Sequence, residues 1–351
     1  MTRQTRSRWL GAFAFLSAAV ILILGITPAL AANVTPPDQS GAATAPDQVA
    51  AATAPPEVVH VGAVPISVYE VNEENGTYFG DFYVWYRWKG EIDPNTTTEI
   101  TNNVDKWAAT RSNTYPAPKV LADGSKYQMY RLEGRFRNVF DISHFPLDSE
   151  VLTLSFENTK HPMSELIYQP DAPESLALDP GVGVEGWNIE SWTARAYTHQ
   201  YHTDFGDPGS DQDYSVATFE LLLHRHVNYF FWKLLLPLVV VLLMALGSLL
   251  IAAKQVGVRV ALPSTALLTA VFLQLAYSQG LPATGSLVLM DYIYIVAYTV
   301  LLVVTGRMIY TSYMAKRGKE TQWSSRNGDL WTLGLLVALL AIGIPLVIVL
   351  V

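Results

Sequence analysis

Residues 258–282 read VRVALPSTALLTAVFLQLAYSQGLP, with one basic residue near the start and no charge from Val260 to Pro282. A run of that length crosses about 30 Å of hydrocarbon as a helix. Inside lipid only a helix or a closed barrel satisfies its own backbone. Three further apolar stretches, at 229–253, 287–310 and 330–351, bracket it, the first containing Pro237. The sequence therefore predicts four spanning helices in the final third of the chain.

Stepping by four and three residues through the quoted stretch gives Ala261, Thr265, Leu268, Phe272, Leu275 and Gln279 on one narrow stripe. Small and hydroxylated side chains lie toward one end, large apolar ones in the middle, and an amide at the other end. Two readings fit. In a ring of such helices the stripe lines a pore, with Leu268 and Phe272 as apolar collars that stop ions by dewetting. In an ordinary packed helix the hydroxyls bond their own backbone.

Charge divides the 351 residues sharply: residues 1–32 carry +3, residues 33–227 carry −16 and residues 228–351 carry +5. An acidic, water-soluble part thus precedes a membrane part with basic flanks. Lys254 and Arg259 fall between the first two spans, and Arg307, Lys316, Arg317, Lys319 and Arg326 between the last two. The positive-inside rule puts both links in the cytoplasm. Nucleic acid is not expected as a partner, because the large polar surface is negative and repels phosphate. With no cysteine there is no disulfide, thiol nucleophile or cysteine metal site.

Arg3, Arg6 and Arg8, the apolar run Trp9–Ile26 and Ala29-Leu30-Ala31 form the three parts of a secretory signal, expected over 1–31. Residues 32–56, rich in Ala, Pro, Thr, Gln and Asp, read as a disordered tether. From 57 to 227 short alternating and aromatic runs are punctuated by turns. Strands are expected over Val58–Val71, Tyr78–Trp88, Lys126–Asn138, Glu150–Phe156, Trp187–Tyr197 and Tyr214–Leu223. A compact turn is expected at Glu73–Gly76, and a short helix near Asn102–Ala109. The fold class is an all-β immunoglobulin-like sandwich, extracellular, followed by an all-α four-helix transmembrane domain over 228–351. No catalytic motif for metal, nucleotide or acyl chemistry is present, so no enzyme and no cofactor is expected.

Several separated motifs then fall into one order. Phe145-Pro146-Leu147-Asp148 resembles the Phe-Pro-x-Asp turn of the pentameric ligand-gated ion channels, the Cys-loop receptor superfamily, and the chain is most similar to bacterial members lacking the cysteine pair. Arg225 stands at that family's pre-membrane arginine, with Pro237 twelve positions on. Leu281-Pro282 matches the outer end of the pore helix and Arg259 the basic position at its inner end.

The resemblance implies a homopentamer in a bacterial inner membrane, with the N-terminal domain and the C-terminus outside. It implies a small-molecule or proton agonist at subunit interfaces, permeant inorganic ions and surrounding lipid. Asp148, Arg225, Pro146, Leu281, Pro282 and one of Glu73 or Glu74 would couple the sandwich to the pore. Tyr197, Tyr201, Phe205 and Tyr214 on a hairpin loop would face Trp85 and Arg87 of a neighbouring subunit around the ligand. Aromatic walls suit an ammonium group, whereas Arg87 suits a carboxylate.

Asp204, Asp207, Asp211 and Asp213 lack calcium-loop spacing and read as a solvated acidic loop, with no metal expected. His199, His202, His224 and His226 keep pH sensing open. Neither the acidic inner ring of cation channels nor the Pro-Ala pair of anion channels precedes Arg259. The acidic domain favours cations, with an anion-selective channel or a non-conducting, membrane-anchored receptor as the alternatives.

Overall fold

The computed structural model describes residues 55–171, 178–207, 213–252, 255–283, 286–318 and 326–350. The expected signal, and the expected tether up to residue 54, lie outside the described residues. Among these residues ten strands form two sheets. Strand β1 (Glu57–Asn72) and strand β2 (Thr77–Trp88) make the first hairpin, closed by Gly76 at φ 64°, which glycine adopts without steric cost. A one-turn helix, α1 (Pro94–Thr97), leads to β3 (Thr98–Ile100). Next come β4 (Thr110–Asn113), β5 (Lys119–Val120), β6 (Lys126–Arg137), β7 (Ser149–Asn158), β8 (Leu166–Pro170), β9 (Trp187–Gln200) and β10 (Asp213–Arg225).

One sheet runs β4-β6-β2-β1-β8, with β5 also paired to β6, and the other runs β3-β7-β10-β9. The six expected strands are present within a few residues of their sequence bounds. The missed ones, β3, β4, β5 and β8, are only two to five residues long. They are held by pairing to longer neighbours rather than by local pattern. No helix forms over 102–109. The Asn102 amide instead donates to the carbonyls of Arg137 (3.1 Å) and Thr153 (2.6 Å), tying the segment across the strands.

Alternate residues of β1, β2, β6, β7 and β10 point inward, so Val59, Val61, Ala63, Phe82, Val84, Tyr86, Phe156, Phe219 and Leu221 fill the space between the sheets. Polar ties cross it as well. The Trp192 indole donates to the Ala63 carbonyl at 3.0 Å, and the Tyr78 hydroxyl to the Thr153 carbonyl at 2.7 Å. Both satisfy buried groups that would otherwise destabilise the core.

Four apolar helices follow β10: α2 (Val227–Leu250), α3 (Val256–Ser278), α4 (Leu289–Lys316) and α5 (Arg326–Leu350), each long enough to span a membrane. Within α2 the stretch Phe230–Leu235 is π-helical and leads into Pro237. A wider turn is one way a helix absorbs a residue lacking its N–H. In the single chain α4 is the most buried span, while α5 is almost wholly exposed.

Candidate functional site

The last residue of β10 lies where the sandwich meets the helices. Arg225 donates through Nε and Nη2 to both carboxylate oxygens of Asp148, at 2.7 and 2.9 Å, and through Nη2 to Glu73. Asp148 is 4% exposed. Of the two expected acids, Glu73 enters the cluster and Glu74 stays exposed. The β1–β2 turn decides this: Asn75 N–H bonds the Asn72 side chain at 2.8 Å and Gly76 N–H bonds the Glu73 carbonyl, which fixes where Glu73 points. The guanidinium also lies over the rings of Trp187 (4.2 Å) and Phe145 (4.9 Å). Burial works against the Arg225 charge, and the Asp148 and Glu73 carboxylates outweigh it, holding its pKa above the ordinary value. Burial pushes the Glu73 carboxyl up, against the pull of Arg225.

The connector from β6 to β7 carries this cluster into the membrane domain. A single 3-10 turn, Ile142–His144, is capped by Asp141, whose carboxylate accepts from Ser143 N–H at 3.1 Å. Ile142 and Phe145 are buried among Tyr277, Leu289, Met290 and Ile293 of α3 and α4. The Phe145 ring stacks on Tyr277, whose hydroxyl donates to Asp291. Gln274 joins the same group by accepting from Tyr298 at 2.5 Å. Leu281 packs against this cluster from the end of α3, and Pro282 follows it half-buried. Pro146 follows Phe145 in the connector and is itself buried. Tyr277 and Asp291 were not anticipated, because an aromatic and a lone acid in apolar runs read as filler.

Along α3 the buried residues are Arg259, Pro263, Ala266, Ala270 and Tyr277. Ala261, Thr265, Leu268, Phe272, Leu275 and Gln279 are all exposed in the single chain. At about 100° per residue the centres of the two sets lie roughly 170° apart. The stripe therefore faces directly away from the subunit's own helices.

Arg259 belongs to the other side. It is 0% exposed and bonds Asp329 of α5 at 2.6 Å and the Thr311 hydroxyl of α4 at 3.3 Å, while Arg307 bonds the other Asp329 oxygen at 2.9 Å. Arg259 and Arg307, expected as charges between spans, are thus buried inside helices and joined through one carboxylate. Lys254 and Lys319 lie outside the described residues.

The ligand-facing candidates divide between the two sheets. Trp85 and Arg87, on β2, both donate to Asp171, at 2.8 and 3.1 Å. On the other sheet the Tyr201 hydroxyl donates to Glu157 at 2.6 Å and His199 Nδ1 bonds the second Glu157 oxygen at 2.8 Å. Phe205 and Tyr214 meet the Tyr201 ring edge to face at 5.0 and 5.5 Å. Burial and the Glu157 carboxylate raise the Tyr201 pKa. Tyr197 stands apart, with Arg195 over its ring at 5.2 Å. Glu157 escaped the sequence reading because it sits at the end of β7 with no motif around it. Asp211 of the acidic loop lies outside the described residues, and among those described no cluster of acids and histidines is placed to hold a metal ion.

No family model matches the chain. Curated relatives do. A gamma-aminobutyric acid receptor subunit beta of Caenorhabditis elegans is 26% identical over 210 residues, covering 56% of this chain and 37% of the relative. A glutamate-gated chloride channel subunit beta of Haemonchus contortus is 26% identical over 147 residues, covering 42% and 33%. The human gamma-aminobutyric acid receptor subunit rho-2 is 25% identical over 152 residues, covering 43% and 31%. The chain spans about a third of the length of the curated relatives it matches. With its sandwich, its four apolar spans and no cysteine, the chain is similar to these ligand-gated channel subunits of the Cys-loop superfamily.

Proposed function

We propose that this chain is one subunit of a homopentameric ion channel in a bacterial cell membrane, opened by a small ligand or by protons. The observation that carries the reading is the exposed stripe Ala261–Thr265–Leu268–Phe272–Leu275–Gln279, turned away from the residues that α3 buries within its own subunit. Five copies around an axis would place that stripe on the lumen, with Thr265 and Gln279 as polar rings. Leu268 and Phe272 would be the collars where water and ions are expelled. The cluster of Glu73, Asp148 and Arg225, with Phe145 on Tyr277, would carry motion from the sandwich to α3. Tyr197, Tyr201, Phe205 and Tyr214 would meet Trp85 and Arg87 of the neighbour around the ligand. The N-terminal domain and the C-terminus would lie outside, since Lys316, Arg317 and Arg326 flank the link between α4 and α5.

The channel is read as cation-selective. Arg259 is buried against Asp329 on the side of α3 away from the stripe, so the stripe's inner end is uncharged Ala261. The −16 domain, in five copies, concentrates cations at the outer mouth. A second reading, anion selectivity, is supported by the name of the Haemonchus contortus relative, a chloride channel subunit. Bilayer recording of the purified protein tests both. A conductance whose reversal potential follows the cation gradient in asymmetric salt supports the first, and one that follows chloride supports the second. A protein that passes no current under any ligand or pH overturns the channel itself. Leu268→Ala should open more easily if Leu268 is a collar, and unchanged gating in that variant counts against the lumen assignment.

A further inference from the structure

The junction cluster holds one carboxylate more than its ion pairs use. Glu150 lies two residues beyond Asp148 on β7 and is 2% exposed. Its Oε2 accepts from the Asp141 backbone N–H at 3.3 Å, and its Oε1 is buried with no hydrogen-bond partner among the described residues. The guanidinium nearby is already engaged, with Nε and Nη2 on Asp148 and Nη2 also on Glu73. The charged groups acting on Glu150 are Asp148 at the head of its own strand, Glu73 from the β1–β2 turn and Arg225 from β10. His224, the other titratable neighbour on β10, points to a separate exposed set with Ser149 and Glu190. One guanidinium thus faces three carboxylates out of water. A buried carboxylate oxygen with no donor is costly when charged and is relieved by binding a proton.

We propose that Glu150 is a proton-binding site, and that the proton it takes up decides how firmly Arg225 holds Asp148 and Glu73. In the binding step a proton leaves hydronium and forms an O–H bond to a Glu150 oxygen. No other bond changes, and the cluster loses one negative charge. With the proton bound, Arg225 is shared by two carboxylates, the arrangement seen here. Without it, Glu150 competes for the guanidinium and repels Asp148 and Glu73. Burial raises the Glu150 pKa to about 7, with Asp148 and Glu73 adding to the rise and the Asp141 N–H and Arg225 opposing it. The proposal identifies the proton as the ligand of the junction, and its current-based half rests on the channel reading above.

The test uses the full chain in lipid nanodiscs, with protons as the only ligand. Infrared difference spectra between about pH 6 and about pH 8 should show a protonated-carboxyl band that disappears with a midpoint near neutrality. Glu150→Gln should lack that band. In bilayers, wild-type opening should change over the same range, and Glu150→Gln at the alkaline end should behave as wild type does at the acid end. A wild-type spectrum without the band overturns the site, whatever the variant's folding, and so does a band that survives in Glu150→Gln. A pH response of the current that Glu150→Gln leaves intact overturns the coupling to Arg225. A titrating band in a protein that passes no current at any pH supports the proton site and sinks the channel reading, so the two failures are distinct.

Discussion

The Phe145 ring lies over the Tyr277 ring, centroids 6.3 Å apart and planes 15° from parallel. Phe145 belongs to the connector between β6 and β7 and Tyr277 to the last turn of α3, so this stack joins the sandwich directly to the helix carrying the exposed stripe. Because Phe145 also contacts the Arg225 guanidinium, the ion cluster and the helix are separated by a single ring.

Removing the ring from position 277 should uncouple the two domains. A stacked pair contributes about 0.5–1.5 kcal/mol beyond area burial, so Tyr277→Leu should shift the opening equilibrium by roughly twofold to tenfold. Tyr277→Phe keeps the stack and loses only the bond to Asp291, and its shift should be smaller. Open probabilities of the two variants in bilayers check the ranking, and equal shifts would show that the Asp291 bond, not the stack, matters.

Arg225→Ala should leave Asp148, Glu73 and Glu150 without a cation in a buried site. Breaking a buried pair on one side costs about 3–5 kcal/mol. The variant should still elute at the wild-type volume while gating is lost. Arg225→Lys should rescue little, because an ammonium cannot bond both Asp148 oxygens and Glu73 in the same plane. Normal gating by Arg225→Ala would refute the coupling role.

The membrane-side cluster makes a separate prediction. Asp329→Asn leaves Arg259 and Arg307 buried with no carboxylate between them, and should destabilise the helical domain by about 3–5 kcal/mol. Adding Arg259→Leu to that background should recover part of the loss, since one uncompensated charge is removed. Thermal melts in detergent check both, and strict additivity would mean the groups act independently.

Stability should also depend on pH through Glu150. Its folded pKa of about 7 lies above the ordinary 4.5, so between these values the native state holds a proton that the unfolded chain has lost. Its contribution is fully present below 4.5 and is lost as pH rises through about 7. The slope reaches about 1.4 kcal/mol per pH unit. Wild type should lose stability against Glu150→Gln over that window, and parallel curves would contradict the burial of this group.

The sequence by itself determined the architecture, because strand alternation, span length and charge segregation are local properties fixed by the periods of strand and helix and by the thickness of a bilayer. It also determined which face of α3 could be a lumen, since a six-residue stripe is a matter of helical period alone. Asp148 and Arg225 were legible from their motifs. What only the tertiary structure decided is which groups meet: Glu73 rather than Glu74 at Arg225, Tyr277 beneath Phe145, Glu157 between His199 and Tyr201, Glu150 left with a spare oxygen. The same holds for Arg259, whose charge suggests a link between spans and whose place is a buried pair with Asp329, 70 residues later in the chain. Such pairings join residues far apart in sequence, and burial sets their strength, so neither propensity nor periodicity carries a trace of them.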